Sequence, residues 1–182
     1  MIDWPIEQPT IYGDAISLRP LRELDIEAIY NACQDPTISA FTRVPYPYDF
    51  EMAAEFVRES SIAYRNHISA TFAIEVGGKF AGTIGLHSLQ LGDHMAEIGY
   101  WIESSYRGDG ICTAALKLLT DFAIEAMKFR RIEGLTDFDN AASQKVLERA
   151  GYQREALLAS RVTKPNGKQI DMILFAKVAS SK

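Results

Sequence analysis

Three groups of residues have types and spacings that suit chemistry. The first is Tyr106-Arg107-Gly108-Asp109-Gly110-Ile111-Cys112-Thr113, with two glycines two residues apart. It stands between a strand-like run, AEIGYWI, and a helix-like run, CTAALKLLTDFAIEAM. Glycines let main chain approach a ligand and take conformations that other residues avoid. The free N–H groups at a helix start, with the helix dipole behind them, favour a phosphate or pyrophosphate. A tight turn that needs two glycines is the plainer alternative. The second group is Glu97, which shares a strand face with Gly99 and Trp101 at period two. A half-buried carboxylate is costly unless it is used or paired across a sheet. His87, at the end of the preceding strand pattern, is a second titratable group, while His67 and His94 read as loop or helix-end residues. The third group is Asn140 and Ser143, the spacing of a helix start with Asn140 as N-cap.

The glycine loop is not a nucleotide-triphosphate loop, because no lysine follows Gly110. The dinucleotide pattern G-x-G-x-x-G is partly met by Gly108, Gly110 and Thr113, with Glu133 at a suggestive distance. That pattern opens a parallel strand–helix–strand unit, whereas the strand before this loop belongs to a hairpin. Glu133 also falls at the start of its strand instead of the end. An adhesion role for the triplet Arg107-Gly108-Asp109 lacks any signal that would send the chain outside.

The elements that must position these residues follow from periodicity. Residues 16–20 read as a strand, and Leu21 to Cys33 follow helical spacing that ends before Pro36. Residues 36–50 read as a loop rich in proline and aromatics, followed by a helix over 50–64. A hairpin turns at Gly77-Gly78, a third strand covers 93–102, and the helix after the loop presents Ile111, Ala114, Ala115, Leu118, Leu119, Phe122, Ala123 and Ala126 on one face. A strand near 131–137, a short helix from Asn140 to a C-terminal Gly151, and two strands around 152–162 and 169–178 complete the order, with a turn at KPNGK between the last two. Hairpins with a single crossover predict an α/β (α+β) fold: one domain with a mixed, mostly antiparallel sheet of about six to seven strands between helices.

Composition bounds the partners. A length of 182 residues suits one domain, and a net charge of −5 argues against nucleic acid while tolerating cationic amines or basic peptides. Cys33 and Cys112 make no disulfide framework, and no cysteine or histidine cluster suggests a metal. The opening MIDWPIEQPT has neither a basic start nor an apolar run, and no stretch is long and apolar enough to span a membrane. A cytoplasmic protein is expected, with a homodimer permitted.

Arg107-Gly108-Asp109-Gly110-Ile111-Cys112 resembles the pyrophosphate loop (Q/R)-x-x-G-x-(G/A) of the GNAT N-acetyltransferases. The segments GTIGLHSL, AEIGYWIESSYRGDGICTAAL, RIEGLTDFDNAASQKVLERAGYQREALL and NGKQIDMILFAKV resemble, in order, the ribosomal-protein-alanine (RimJ/RimL-like) branch, over a core of about 16–178. Two departures stand out: Cys112 occupies a position usually held by Gly or Ala, and Asp109 one where a cation or Gln is common. The resemblance implies acetyl-CoA as co-substrate, with no metal, and transfer of acetyl to a primary amine. A protein or peptide N-terminus is the expected acceptor, and a polyamine, amino acid or aminoglycoside is the alternative. A non-catalytic acyl-CoA-binding regulator is a third reading.

The resemblance further implies that residues 107–113, Asn140 and Ser143 line the cofactor slot, with the main chain of Ile102 against the pantetheine arm. Amine attack on a thioester needs a proton acceptor, and Glu97 is the first choice, with His87 as alternative. An α-amine has a pKa near ~7.8 against ~10.4 for lysine, so a weak base serves it near neutral pH. The resemblance implies Ser143 as donor to the departing sulfur, and Leu147, standing where other branches carry a tyrosine, supports it. FTRVPYPYDF, with Phe41, Tyr46 and Tyr48, is expected to wall the amine site, and Arg43 to orient the acceptor.

Overall fold

Alternating apolar residues build one eight-stranded sheet in a computed structural model that describes residues 1–164 and 167–180. The strands are β1 (Ile11–Tyr12), β2 (Ser17–Pro20), β3 (Ala70–Val76), β4 (Lys79–Gln90), β5 (Met95–Ile102), β6 (Arg131–Asp137), β7 (Gln153–Thr163) and β8 (Gln169–Val178), in the spatial order β1-β2-β3-β4-β5-β6-β8-β7. Every neighbouring pair is antiparallel except β5 with β6, which is parallel. The sheet exceeds the six to seven strands expected because two-residue β1 pairs with β2. Pro165 and Asn166 of the expected turn KPNGK lie outside the described residues.

Among the described residues five α-helices complete the fold: α1 (Ile26–Ala32), α2 (Pro36–Phe41), α3 (Phe50–Arg65), α4 (Ile111–Asp121) and α5 (Ala141–Arg149). A short 3-10 turn, Glu23–Asp25, precedes α1, so the helix starts later than its sequence spacing suggested. The expected loop over 36–50 contains α2. Its N-cap is Asp35, whose carboxylate accepts from Thr37 N at 2.9 Å, and Pro36 opens the helix where a missing N–H costs nothing. The helix α4 runs on into a wider π turn, Phe122–Ala126.

Strand alternation sorts the core into two layers. On one face, Leu18, Phe72, Ile74, Ile84, Leu86, Ile98 and Ile132 pack with Leu116, Leu119 and Ala123 of the α4 segment and Leu147 of α5. On the other face, Trp101 packs with Ile29, Ile38, Ala53 and Val57 of α1, α2 and α3. The buried stripe of α4 is Ala115, Leu116, Leu119 and Thr120, rotated from the expected one, and Ala114 is exposed. Thr120 tolerates burial because its hydroxyl lies 2.6 Å from both Leu116 O and the Tyr152 hydroxyl. Among the described residues no helix is long and apolar enough to cross a membrane.

Candidate active site

The site begins where the sheet splits. Only Met95/Arg131, Ala96/Ile132 and Glu97/Glu133 are in register between β5 and β6. Beyond them β5 continues with β4 up to Ile102, and β6 continues with β8 up to Asp137. Glu103 N–H donates to Ala81 O at 2.9 Å, which fixes the antiparallel phase. Glu97, Gly99 and Trp101 therefore turn their polar main chain toward β4, and Tyr100 and Ile102 turn theirs into the gap. The Ile102 carbonyl is engaged there by Arg107 Nε at 3.0 Å. Main-chain groups of Tyr100 and the N–H of Ile102 are left for an extended ligand.

The loop above the gap opens α4. Gly108 and Gly110 have φ of 92° and 78°, a region that costs other residues energy, and Gly110 is the N-cap of α4. No side chain caps this end, so the N–H groups of Ile111, Cys112 and Thr113 are available to an anion. A Cβ at Gly108 or Gly110 would meet nothing within 4 Å, leaving open space over the cradle. Asp109 is exposed. The residues thus fit a pyrophosphate held by main chain.

Arg107 also has tertiary partners that local spacing does not reveal. Its guanidinium bonds Asp35 Oδ2 at 2.8 Å and Thr37 Oγ1 at 3.0 Å, tying the loop to the start of α2. Cys112 packs against the core, and burial pushes its thiol up to about 12, so it is a neutral thiol.

On the face of α1–α3, Glu97 and His87 are direct cross-strand partners, with Oε2 and Nδ1 3.9 Å apart. A Cβ on Gly99 would lie 2.9 Å from His87 Nε2, so the missing side chain makes room for the imidazole. Burial lowers the His87 pKa first; Glu97 raises it and the charge of Arg43 lowers it again. Glu133 stands beside Glu97 but is bonded by Arg131 at 2.6 Å, which offsets the like charge. Both sequence candidates for the proton acceptor thus meet in one pair, with Arg43 felt at it. His67 and His94 sit elsewhere, in the turns after α3 and before β5.

On the opposite face, Asn140 Oδ1 accepts from Ser143 N at 3.0 Å, the capping bond expected from the spacing. The Ser143 hydroxyl lies 2.9 Å from the hydroxyl of Tyr100. Leu147 is fully buried and packs so close to β6 that a side chain at Gly134 would lie 2.5 Å from its Cδ2. Tyr100 was missed by sequence reasoning, although its parity, opposite to Glu97 and Trp101, places it on the α4–α5 face. Asp35 was missed too, although Asp-Pro is a helix-start signal. Phe41 and Tyr46 are exposed, and Tyr48 is buried in the layer around Trp101. Among the described residues no group of three or more His, Cys, Asp or Glu is placed to hold a metal ion.

A family model described as an acetyltransferase (GNAT) domain matches residues 16–153. YdaF of Bacillus subtilis (strain 168), provisionally named a ribosomal N-acetyltransferase, is 32% identical over 129 residues, 68% of this chain and 70% of that one. The spermidine N(1)-acetyltransferase of Escherichia coli (strain K12) is 24% identical over 148 residues, 79% of this chain and 76% of that one. The structure of Mycobacterium smegmatis RimJ in complex with CoA-disulfide is similar with a TM-score of 0.85 at 26% identity, covering 94% of this chain and 88% of that one.

Proposed function

The chain belongs to the GNAT acetyltransferase family, and on that premise we propose that it acetylates an α-amine of the kind found at protein or peptide N-termini. It is an acyltransferase with acetyl-CoA as co-substrate. One observation supports the reading above all. Where β5 parts from β6, its last paired residue, Glu97, meets His87 of β4 on one face, Tyr100 meets Ser143 on the other, and unpaired main chain faces the gap.

Acetyl-CoA supplies an acetyl group activated as a thioester. The main chain of residues 107–113 holds its pyrophosphate, and Tyr100 and Ile102 offer main-chain partners to the pantetheine arm. Glu97 and His87 receive the proton of the attacking amine. Ser143 donates to the sulfur that leaves, and Asn140 holds the turn that presents it. Both members of the accepting pair are weak bases, which suits an amine of pKa near ~7.8 better than one near ~10.4.

A small cationic amine is the second reading, favoured by the likeness to the spermidine enzyme and the net charge of −5. A thiol-release assay with acetyl-CoA against N-terminal peptides, polyamines, amino acids and aminoglycosides separates them. Peptides should turn over most efficiently, with a rate that levels off above about pH 8. A polyamine preferred over every peptide, with a rate still climbing toward about pH 10, would move the acceptor to the small-amine class. Acetyl-CoA binding without thiol release from any acceptor would make the chain a non-catalytic binder.

A further inference from the structure

We propose that Tyr100 is a positioning residue for acetyl transfer: its hydroxyl donates to Ser143 Oγ and leaves the serine proton directed at the departing sulfur. This rests on the reading of Ser143 given above. The Tyr100 hydroxyl lies 2.9 Å from Ser143 Oγ and 3.4 Å from the Ser143 carbonyl oxygen. Ser143 is fixed from its other side by Asn140, so the serine is gripped at its amide and at its hydroxyl.

Proton counting assigns the direction of the bond. A serine hydroxyl has one proton and two acceptor lone pairs. If Ser143 gave that proton to Tyr100, none would remain for sulfur. With Tyr100 as donor, one lone pair is satisfied and the serine O–H is polarised, which makes it a stronger donor in a water-poor site. Burial, and behind it the neighbouring Cys112, raises the phenol pKa above its ordinary value, with the bond to Ser143 opposing. Tyr100 therefore keeps its proton through the neutral range.

The step balances without a net proton from either hydroxyl. The amine lone pair forms the C–N bond, and the amine proton passes to the Glu97–His87 pair. The C–S bond breaks with its electron pair going to sulfur. Ser143 stabilises that charge through its hydrogen bond until the thiolate takes a proton from water.

Three variants test the assignment: Tyr100→Phe, which keeps the ring in the core, Ser143→Ala, and the two together. Single-turnover rate and acetyl-CoA dissociation constant are measured on each. Tyr100→Phe should slow the chemical step by roughly tenfold with affinity little changed, as expected for an interaction made in the transition state. The double variant should be no slower than Ser143→Ala alone, because Tyr100 acts only through the serine. A normal rate for Tyr100→Phe beside a slow Ser143→Ala would overturn the role of Tyr100 and leave that of Ser143 standing. Multiplying losses in the double variant would also overturn it. A normal rate for Ser143→Ala would remove the reading of Ser143, and the proposal with it.

Discussion

His87 is the residue whose surroundings make the most specific prediction. Burial and the charge of Arg43 favour the neutral imidazole, and Glu97 opposes them, with a net shift below 6.5. If His87 accepts the amine proton, it is competent from below pH 6.5 upward, and the acid limb of kcat/KM should lie under that value. Arg43→Gln removes a lowering influence, so the limb should move to higher pH; Glu97→Gln removes a raising one, so it should move to lower pH. A loss of roughly 10²-fold in turnover for Glu97→Gln, without a shifted limb, would identify Glu97 as the acceptor instead. Gly110 gives a second test. Because an added Cβ meets open space, the cost of Gly110→Ala comes from the positive φ, about 1–2 kcal/mol. Calorimetry should show acetyl-CoA affinity falling by about tenfold, as the cradle relaxes to a conformation alanine accepts. At this scale local spacing was a better guide to strand face and capping than to long-range partners. The parity of Glu97 and the capping by Asn140 follow from local spacing. The turn of Arg107 toward Asp35, 72 positions earlier in the chain, depends on a tertiary contact that no local pattern contains.

The elements differ in how much of them local sequence determines. The hairpin at Gly77-Gly78, α3 and β6 are legible because period and turn chemistry agree over a whole segment. The helix α2 is not, since six residues contain too little periodicity and it buries only Ile38. Asp35 joins two functions there, as cap of α2 and partner of Arg107. Asp35→Asn keeps a capping oxygen and removes the ion pair, so thermal melting should change little. Asp35→Ala removes both and should cost about 1 kcal/mol, lowering Tm by about 2–4 °C. The Asp35 pKa is lowered, first by the amide of Thr37 and then by its hydroxyl, with Arg107 adding. That contribution should be complete above the ordinary carboxylate value of 3.8 and disappear as pH falls through the lower folded value. In α4, Leu116→Ala should cost about 2–5 kcal/mol by chemical denaturation, because Leu116 is completely buried.

At the scale of the whole molecule the sheet is two antiparallel blocks, β1–β5 and β6-β8-β7, joined by three residue pairs. The blocks were legible because hairpin strands are neighbours in sequence. The gap was not, because it depends on where two strands separated by a crossover stop pairing. Hydrogen exchange should expose it. Without cofactor, the amides of Tyr100 and Ile102 should exchange faster than those of Gly99 and Trp101, which alternate with them and are held in the β4 ladder. Acetyl-CoA should slow the first pair and leave the second unchanged. The gap also has a thermal meaning. A sheet that leaves main-chain partners unused near its centre forgoes part of its own stability and regains it from whatever fills the space. Ligand present at a hundred times its dissociation constant adds about 2.7 kcal/mol, roughly 5–11 °C for a chain of this size. The melting temperature of this protein should therefore follow the concentration of acetyl-CoA around it, making heat resistance a readout of acetyl supply.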